Sequence, residues 1–190
     1  MDEFPLVKEN ESEIVFTLFG TVSNICQIVQ DLKKAGKIVF VNVDMVDGLA
    51  SKNSVVDFIK QSMADGIVSS KPHLLRYARE NGLFTIHRFF ILDSTSWRSI
   101  GKQLEISKAD IINITPGWTK VISWTAELYD TPIISSGLVC DKTTAIDNLE
   151  GGGHLHLHHQ PRCVEALTAF LPPSRCGSQQ VFCFLIYILR

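Results

Sequence analysis

The sequence predicts an α/β protein built as a parallel (β/α) TIM-barrel-like scaffold that is incomplete at both ends, and three observations carry that expectation. Short β-branched runs alternate with longer amphipathic runs from residue 14 to about residue 150, the pattern of successive βα units feeding one parallel sheet. The short runs are mostly continuous in apolar residues, as strands covered on both faces require. Six such runs are visible, whereas a closed barrel takes about eight strands and typically about 250 residues.

The expected strands are Ile14–Phe19, Ile38–Val43, Gly66–Ser69, Leu83–His87, Ile111–Ile114 and Pro132–Ser135. Val22–Lys34, Ser54–Ser62, Pro72–Asn81, Trp97–Ser107, Lys120–Leu128 and Thr143–Leu149 have the length and apolar spacing of helices that return the chain for the next parallel strand. Ala35-Gly36 and Asn81-Gly82 stand where two of these helices end, and glycine takes the left-handed conformation of a helix terminus without a Cβ penalty. The chain therefore divides into a lead-in at 1–13, a barrel-like domain at 14–150 and an atypical tail at 151–190. After Glu150 come Gly151-Gly-Gly-His-Leu-His-Leu-His-His159, Pro161, Pro172-Pro173 and scattered cysteines, with no strand–helix alternation. This tail reads like a coding segment in a shifted frame, so it is expected to be disordered or aggregation-prone, with Val181–Leu189 as a sticky end.

Composition narrows the function. Of 190 residues 45% are hydrophobic and 20% charged, ordinary for one globular domain. Eighteen basic against twenty acidic residues give a net charge of −2, so no global positive field draws the chain to nucleic acid or to anionic lipid, and any RNA contact must be local. The start, with Asp2, Glu3 and Lys8-Glu9-Asn10-Glu11, lacks the pattern of a secretory signal, and the cytoplasm is the expected address. The apolar run Val181–Leu189 is far shorter than the roughly 20 residues a membrane helix needs. Cys26, Cys140, Cys163, Cys176 and Cys183 lack zinc or disulfide spacing and read as reduced thiols. His154, His156, His158 and His159 are spaced closely enough to chelate zinc, copper or nickel, but in such a tail the cluster reads as accidental, and no metal or cofactor is expected.

In parallel β/α folds ligands lie at the carboxyl ends of the strands. The residues placed there are Gly20-Thr21, Asp44 with Gly48, Ser69-Ser70-Lys71, His87-Arg88, Thr115-Pro116-Gly117 and Ser136-Gly137. Such a rim suits a small anion: Lys71 and Arg88 supply charge, Gly117 and Ser136-Gly137 offer unobstructed backbone, and Asp44 can accept bonds from hydroxyls. Serines and glycines in these loops also serve as caps and turns, which is the plainer reading for Ser69 and Ser70. For Arg88 an ion pair with Asp93 or Asp44 competes with ligand binding, and His87 reads as structural. Asp44 with His87 could be drawn as an acid–base pair and Lys71 as a Schiff-base lysine, but nothing in the spacing selects catalysis.

Asn42-Val-Asp-Met-Val-Asp-Gly-Leu49, Asp65-Gly-Ile-Val-Ser-Ser-Lys71, Ile86-His-Arg-Phe-Phe-Ile-Leu-Asp-Ser94, Asp110–Gly117 and Ile133–Leu138 together resemble, in order and spacing, the glycerol uptake operon antiterminator family. The resemblance covers roughly residues 14 to 150 and is carried most specifically by His87–Ser94 with Asp44, Gly48 and Leu49 upstream. It implies a β/α-barrel-like regulator that responds to glycerol 3-phosphate and binds the leader of a glycerol-metabolism messenger RNA, letting transcription pass a terminator. Asp44, Gly48, Arg88, Asp93, Pro116, Gly117 and Gly137 match the family's motifs, while Ser135-Ser136 departs from the small residue and glycine usual before Gly137. The family's first strand and helix have no visible counterpart before Ile14, nor its final Ser/Thr-rich strand after Glu150.

Two other classes use the same rim. A phosphate-handling barrel enzyme, an isomerase or aldolase relative, would take Asp44, Lys71 or His87 as base or nucleophile. A sensor without RNA binding fits the negative charge and the lack of a basic helix, an RRM or a KH motif. A homo-oligomer would juxtapose Lys71, Arg76 and Arg79, though these equally make a solvated helix face. The expected mechanism is linkage, in which the ligand favours a conformation or oligomer of higher RNA affinity.

Overall fold

The computed structural model describes residues 13–50, 52–138, 142–153, 155–157 and 186–189. Strands β1 (Ile14–Thr17), β2 (Ile38–Asn42), β3 (Gly66–Ser69), β4 (Phe84–Phe90), β5 (Ile111–Thr115) and β6 (Ile133–Ser136) pair in parallel, each with its successor. Helices α1 (Ile25–Lys34), α2 (Asn53–Gln61), α3 (Pro72–Glu80), α4 (Ser94–Arg98), α5 (Ile100–Ser107), α6 (Thr119–Leu128) and α7 (Lys142–Glu150) follow the strands.

Two differences from expectation lie within these units. Strand β4 runs on past His87 to Phe90, because Arg88 and Phe90 stay in register with Asn113 and Thr115 of β5. The single helix expected at 97–107 is two: Asp93 accepts the Ser96 amide at 2.7 Å while the Ser96 hydroxyl accepts the Asp93 amide, a capping box that starts α4 at Ser94.

Two further short strands come from the segment where none was expected. β7 (Leu155–Leu157) pairs in parallel with β6, and β8 (Ile186–Leu189) pairs in parallel with β1. The order is β7-β6-β5-β4-β3-β2-β1-β8, and the curled sheet brings Cα atoms of its two outer strands within 8 Å. Residues 1–12, 51, 139–141, 154, 158–185 and 190 lie outside the described residues, so most of the lead-in, the frame-shift reading of the tail, His154, His158 and His159 of the histidine cluster and four of the five cysteines fall there. Cys26 is a free thiol, and no described helix is long and apolar enough to cross a membrane.

Alternation along each strand separates two cores. The outward face packs against helices: Val39, Val41 and Ile67 join Ile25, Val29, Ile59 and Leu75, while Phe89, Ile112, Ile114 and Ile133 join Ile100 and Ile122. The inward face begins as an aromatic plug. Phe16 stacks on Phe40 at 5.2 Å, and Phe40 meets the edge of Phe84 at 6.3 Å. Gly66 makes room for this packing, since a Cβ there would stand 2.7 Å from the Phe40 ring and 2.4 Å from the Phe84 carbonyl. Asp65 and Asp110 hold the amino ends of the strands. Asp65 accepts the Val39 amide at 2.7 Å and pairs with Lys33; Asp110 accepts the Thr85 amide at 2.9 Å and pairs with Arg79.

Candidate functional site

Above the aromatic plug the inward face turns polar. The same two-residue alternation that places Phe40, Phe84 and Ile111 inside places Asn42, Arg88, Asn113, Thr115 and Ser136 one or two steps further toward the carboxyl ends. Asn42 and Asn113 are buried in otherwise apolar strands, and a buried amide needs partners. Asn113 finds them: its Nδ2 donates to the Ser136 hydroxyl at 3.0 Å and to the Ile134 carbonyl at 3.3 Å. The Ser136 and Thr115 hydroxyls share a bond of 2.6 Å. Asn42 accepts the Asp44 amide at 3.2 Å, but its buried Nδ2 has no partner among the described residues.

Arg88 extends from β4 into this layer. Its Nε reaches the Thr115 hydroxyl at 3.4 Å, its Nη1 lies 3.9 Å from the Met45 sulfur, and the guanidinium sits 5.1 Å from the centre of the Phe90 ring. It makes no ion pair with Asp44, Asp93 or any other described carboxylate. Burial lowers its pKa, and the charge of Asp44 opposes that shift without contact. The result is a half-buried guanidinium whose charge has no direct counter-ion.

Asp44 is the opposite case. It accepts the Ser70 amide at 2.6 Å, the Ser70 hydroxyl at 2.8 Å and the Ser69 hydroxyl at 2.9 Å, and it pairs with Lys71 at 3.3 Å. Burial alone would favour its neutral acid, but the Ser70 and Ser69 bonds and the Lys71 charge outweigh burial and hold its carboxyl below the usual range. Asp44 and Lys71 thus form one closed unit that fastens the end of β2 to the start of α3.

Gly137 ends β6 at φ 70°, a left-handed conformation followed by Leu138 at φ 58°. Its carbonyl accepts the Gly117 amide at 2.9 Å, so the loops after β5 and β6 are tied together. The Gly117 carbonyl in turn accepts the side-chain amide of buried Asn148 at 2.9 Å. Gly48 lies apart from this group, in a turn closed by bonds between Asp47 and both Gly20 and Val22, where an added Cβ would stand 3.2 Å from the Val22 side chain.

The model of the glycerol-3-phosphate responsive antiterminator family matches residues 1–155. The chain belongs to that family. It is 40% identical over 149 residues to the uncharacterized protein YgcP of Escherichia coli (strain K12), a match that covers 77% of this chain and 78% of that protein. Two solved structures share the antiterminator fold. The glycerol uptake operon antiterminator regulatory protein of Listeria monocytogenes str. 4b F2365 superposes with a TM-score of 0.77 at 21% identity, covering 80% of this chain and 83% of that one. A glycerol uptake operon antiterminator-related protein of Thermotoga maritima MSB8 gives 0.71 at 30% identity, covering 80% and 87%.

The antiterminator match starts at residue 1 and ends inside β7, wider at both ends than the 14–150 resemblance read from the sequence. The rim residues named from sequence fall into three places in this chain. Arg88, Ser136, Gly137 and Gly117 sit at the open end of β4 to β6; Asp44 and Lys71 are bonded to each other beside β3; Gly48 stands in the outer turn. Asn42, Asn113 and Asn148 were missed as site residues. The signal for the first two was present, since a polar residue two positions after an inward aromatic or isoleucine shares its face.

His87, next to Arg88, faces the helices. Its Nδ1 is 3.0 Å from the Ser107 hydroxyl, and its ring lies 4.0 Å from that of Phe89. Solvent does not reach it. Burial pushes its pKa down to about 4, offset only in part by the Ser70 backbone and the Asp44 charge, and Nε2 closes no hydrogen bond.

Proposed function

We propose that this antiterminator binds glycerol 3-phosphate at the Arg88 end of the rim and, so loaded, binds the leader of a glycerol-metabolism messenger RNA in the cytoplasm, allowing transcription to pass a terminator. The observation that carries the reading is Arg88 itself. A guanidinium held half-buried without a carboxylate partner is an anion receptor awaiting its anion, and its planar donor fork matches a phosphate. The Thr115 and Ser136 hydroxyls and the Gly137 turn border the same space, and the partnerless Asn42 Nδ2 adds a donor for a ligand hydroxyl. Asp44 and Lys71 then brace the rim beside it as supports, while Gly48 stands in the outer turn.

A sensor fits these groups better than a catalyst. Asp44 has its oxygens engaged and its proton affinity lowered, Lys71 is bound to it, and His87 lies on the far face of the sheet. None is poised as a general base or nucleophile. The test is to add glycerol 3-phosphate to the full chain and follow its thermal midpoint, with free glycerol and inorganic phosphate as controls. A ligand that binds only the folded state raises the midpoint saturably. A rise seen only with the phosphate ester supports the reading, and no rise in a folded sample refutes it.

A further inference from the structure

Lys71, Arg76 and Arg79, the basic groups that sequence suggested for RNA, are each engaged: Lys71 by Asp44, Arg76 by Glu80, and Arg79 by Asp110 and the Lys108 carbonyl. A different surface has unspent charge. Beside the rim, between the starts of α4 and α6 and reaching Leu138 and Thr144, runs an apolar groove of about 700 Å³. Trp97, Trp118 and Trp124, the chain's three tryptophans, all line it, and Leu92 and Leu138 lie at its edge. Trp118 and Trp124 are about half exposed, at 48% and 49%, and Trp97 meets Trp124 edge to face at 5.7 Å. Arg98 and Lys120 stand in the same lining, and neither has an ion-pair partner among the described residues. The groove's one carboxylate, Asp93, is occupied capping α4.

We propose that this groove is where the protein takes single-stranded RNA, stacking unpaired bases on Trp118 and Trp124 while Arg98 and Lys120 neutralise the adjoining phosphates. The inference rests on the antiterminator reading above and locates its RNA contact. Exposed indoles are sequence-tolerant platforms for bases, and the neighbouring cations match a polyanion. The charge argues against a second copy as the occupant: pairing the face with itself would bring four cations together with only two already bonded carboxylates.

The groove also has a short route to the effector site. Thr115, which touches Arg88 and Ser136, is followed by Pro116, Gly117 and Trp118; Gly117 is bonded to Gly137 and is itself part of the groove wall. A ligand that tightens Arg88, Thr115 and Gly137 therefore sets the stance of Trp118, and linkage requires RNA to strengthen effector binding by the same factor.

The test uses the full chain, a randomised pool of single-stranded 20-nucleotide RNA, and glycerol 3-phosphate. Because every tryptophan lies in the groove, tryptophan emission, excited selectively over the three tyrosines, reports on this surface. RNA is expected to quench it. Trp118→Ala should weaken RNA binding about tenfold and Trp118→Phe much less. Arg98→Gln with Lys120→Gln should reduce the slope of log affinity against log salt by about 1.4. RNA binding that leaves tryptophan emission unchanged, or that both sets of variants leave intact, overturns the proposal. A wild-type dimer that Trp118→Ala dissociates without changing RNA affinity overturns it too, in favour of a copy interface. Failure to bind RNA while glycerol 3-phosphate still raises the thermal midpoint sinks the groove but spares the effector site; failure of both sinks the antiterminator reading as well.

Discussion

His87 and Arg88 are neighbours on β4, and their fates differ because a strand sends successive side chains to opposite faces. His87 enters the dry layer between sheet and helices, where its Nδ1 meets the Ser107 hydroxyl and where burial disfavours its charge. Arg88 enters the open end of the inward face, where it keeps its charge and lacks a counter-ion. The outward face shuts His87 away from solvent and charge, while the inward face above the aromatic plug leaves the Arg88 guanidinium without a counter-ion and the Asn42 Nδ2 without a partner among the described residues. The difference teaches where function can reside: the same sheet has a finished side and an unfinished one.

The largest effect expected to sharpen this contrast is acid sensitivity at His87. Its folded pKa of about 4 lies below its ordinary 6.5, so the unfolded chain binds the proton first. The stability this group confers is full above pH 6.5 and is lost as pH falls through the window toward 4. The shift corresponds to roughly 3 kcal/mol. In urea denaturation at pH 7 and pH 4.5, His87→Phe should lose much less stability across the interval than the wild type does. An unchanged pH dependence would mean that His87 is not the buried neutral group described.

Arg88→Gln attacks the unfinished side. Since no ion pair is broken, the thermal midpoint without ligand should hardly move. The response to glycerol 3-phosphate should fall about a hundredfold in affinity: at a concentration where the wild type gains about 2.7 kcal/mol, the variant should gain about 0.4. A large loss of basal stability with the response intact would reverse the assignment and make Arg88 a structural residue.

Asp44→Asn asks whether the closed unit beside β3 belongs to the finished category. An amide retains one acceptor for Ser70 or Ser69 but turns an N–H toward donors it cannot satisfy, and it releases Lys71. Allowing for the partial exposure of Asp44, a loss of about 1 to 2 kcal/mol is expected in denaturant melts, with a smaller effect on ligand affinity than Arg88→Gln has. Because the folded carboxylate has a lowered pKa, this contribution is present above its ordinary titration range and is lost as pH falls through the folded value. The wild type and Asp44→Asn should therefore converge in stability in strong acid.

The β/α order was legible because each of the six strands from Ile14 to Ser136 carries its own apolar run and each helix its own spacing. The rim was legible by rule, since the residue after a parallel strand faces the ligand end whatever the ligand. Which rim residues stay available was not legible. Asp44 and Lys71 look like a binding pair in sequence, and only their 3.3 Å contact, formed across 27 positions, shows that they meet each other. The groove of Trp97, Trp118 and Trp124 was equally hidden, because tryptophans in α4 and α6 are placed together only when β4 and β5 pair. β7 was obscured for a different reason: His156 interrupts its apolar pattern, and its place depends on the edge that β6 offers.

Gly137→Ala should have the smallest effect on stability and still discriminate. The site is left-handed at φ 70°, which costs an alanine about 1 kcal/mol, and the added Cβ would lie 3.3 Å from the Thr115 methyl and 3.8 Å from the Pro116 α-carbon. That pressure falls on the loop that joins Arg88's partner Thr115 to Trp118. If the loop only connects β5 to α6, the variant melts slightly earlier and binds both ligands normally. If it couples the two sites, glycerol 3-phosphate and RNA each still bind, but the factor by which one strengthens the other shrinks toward one. Measuring RNA affinity with and without saturating glycerol 3-phosphate separates the cases, because a purely structural loss changes both affinities together and leaves their ratio untouched.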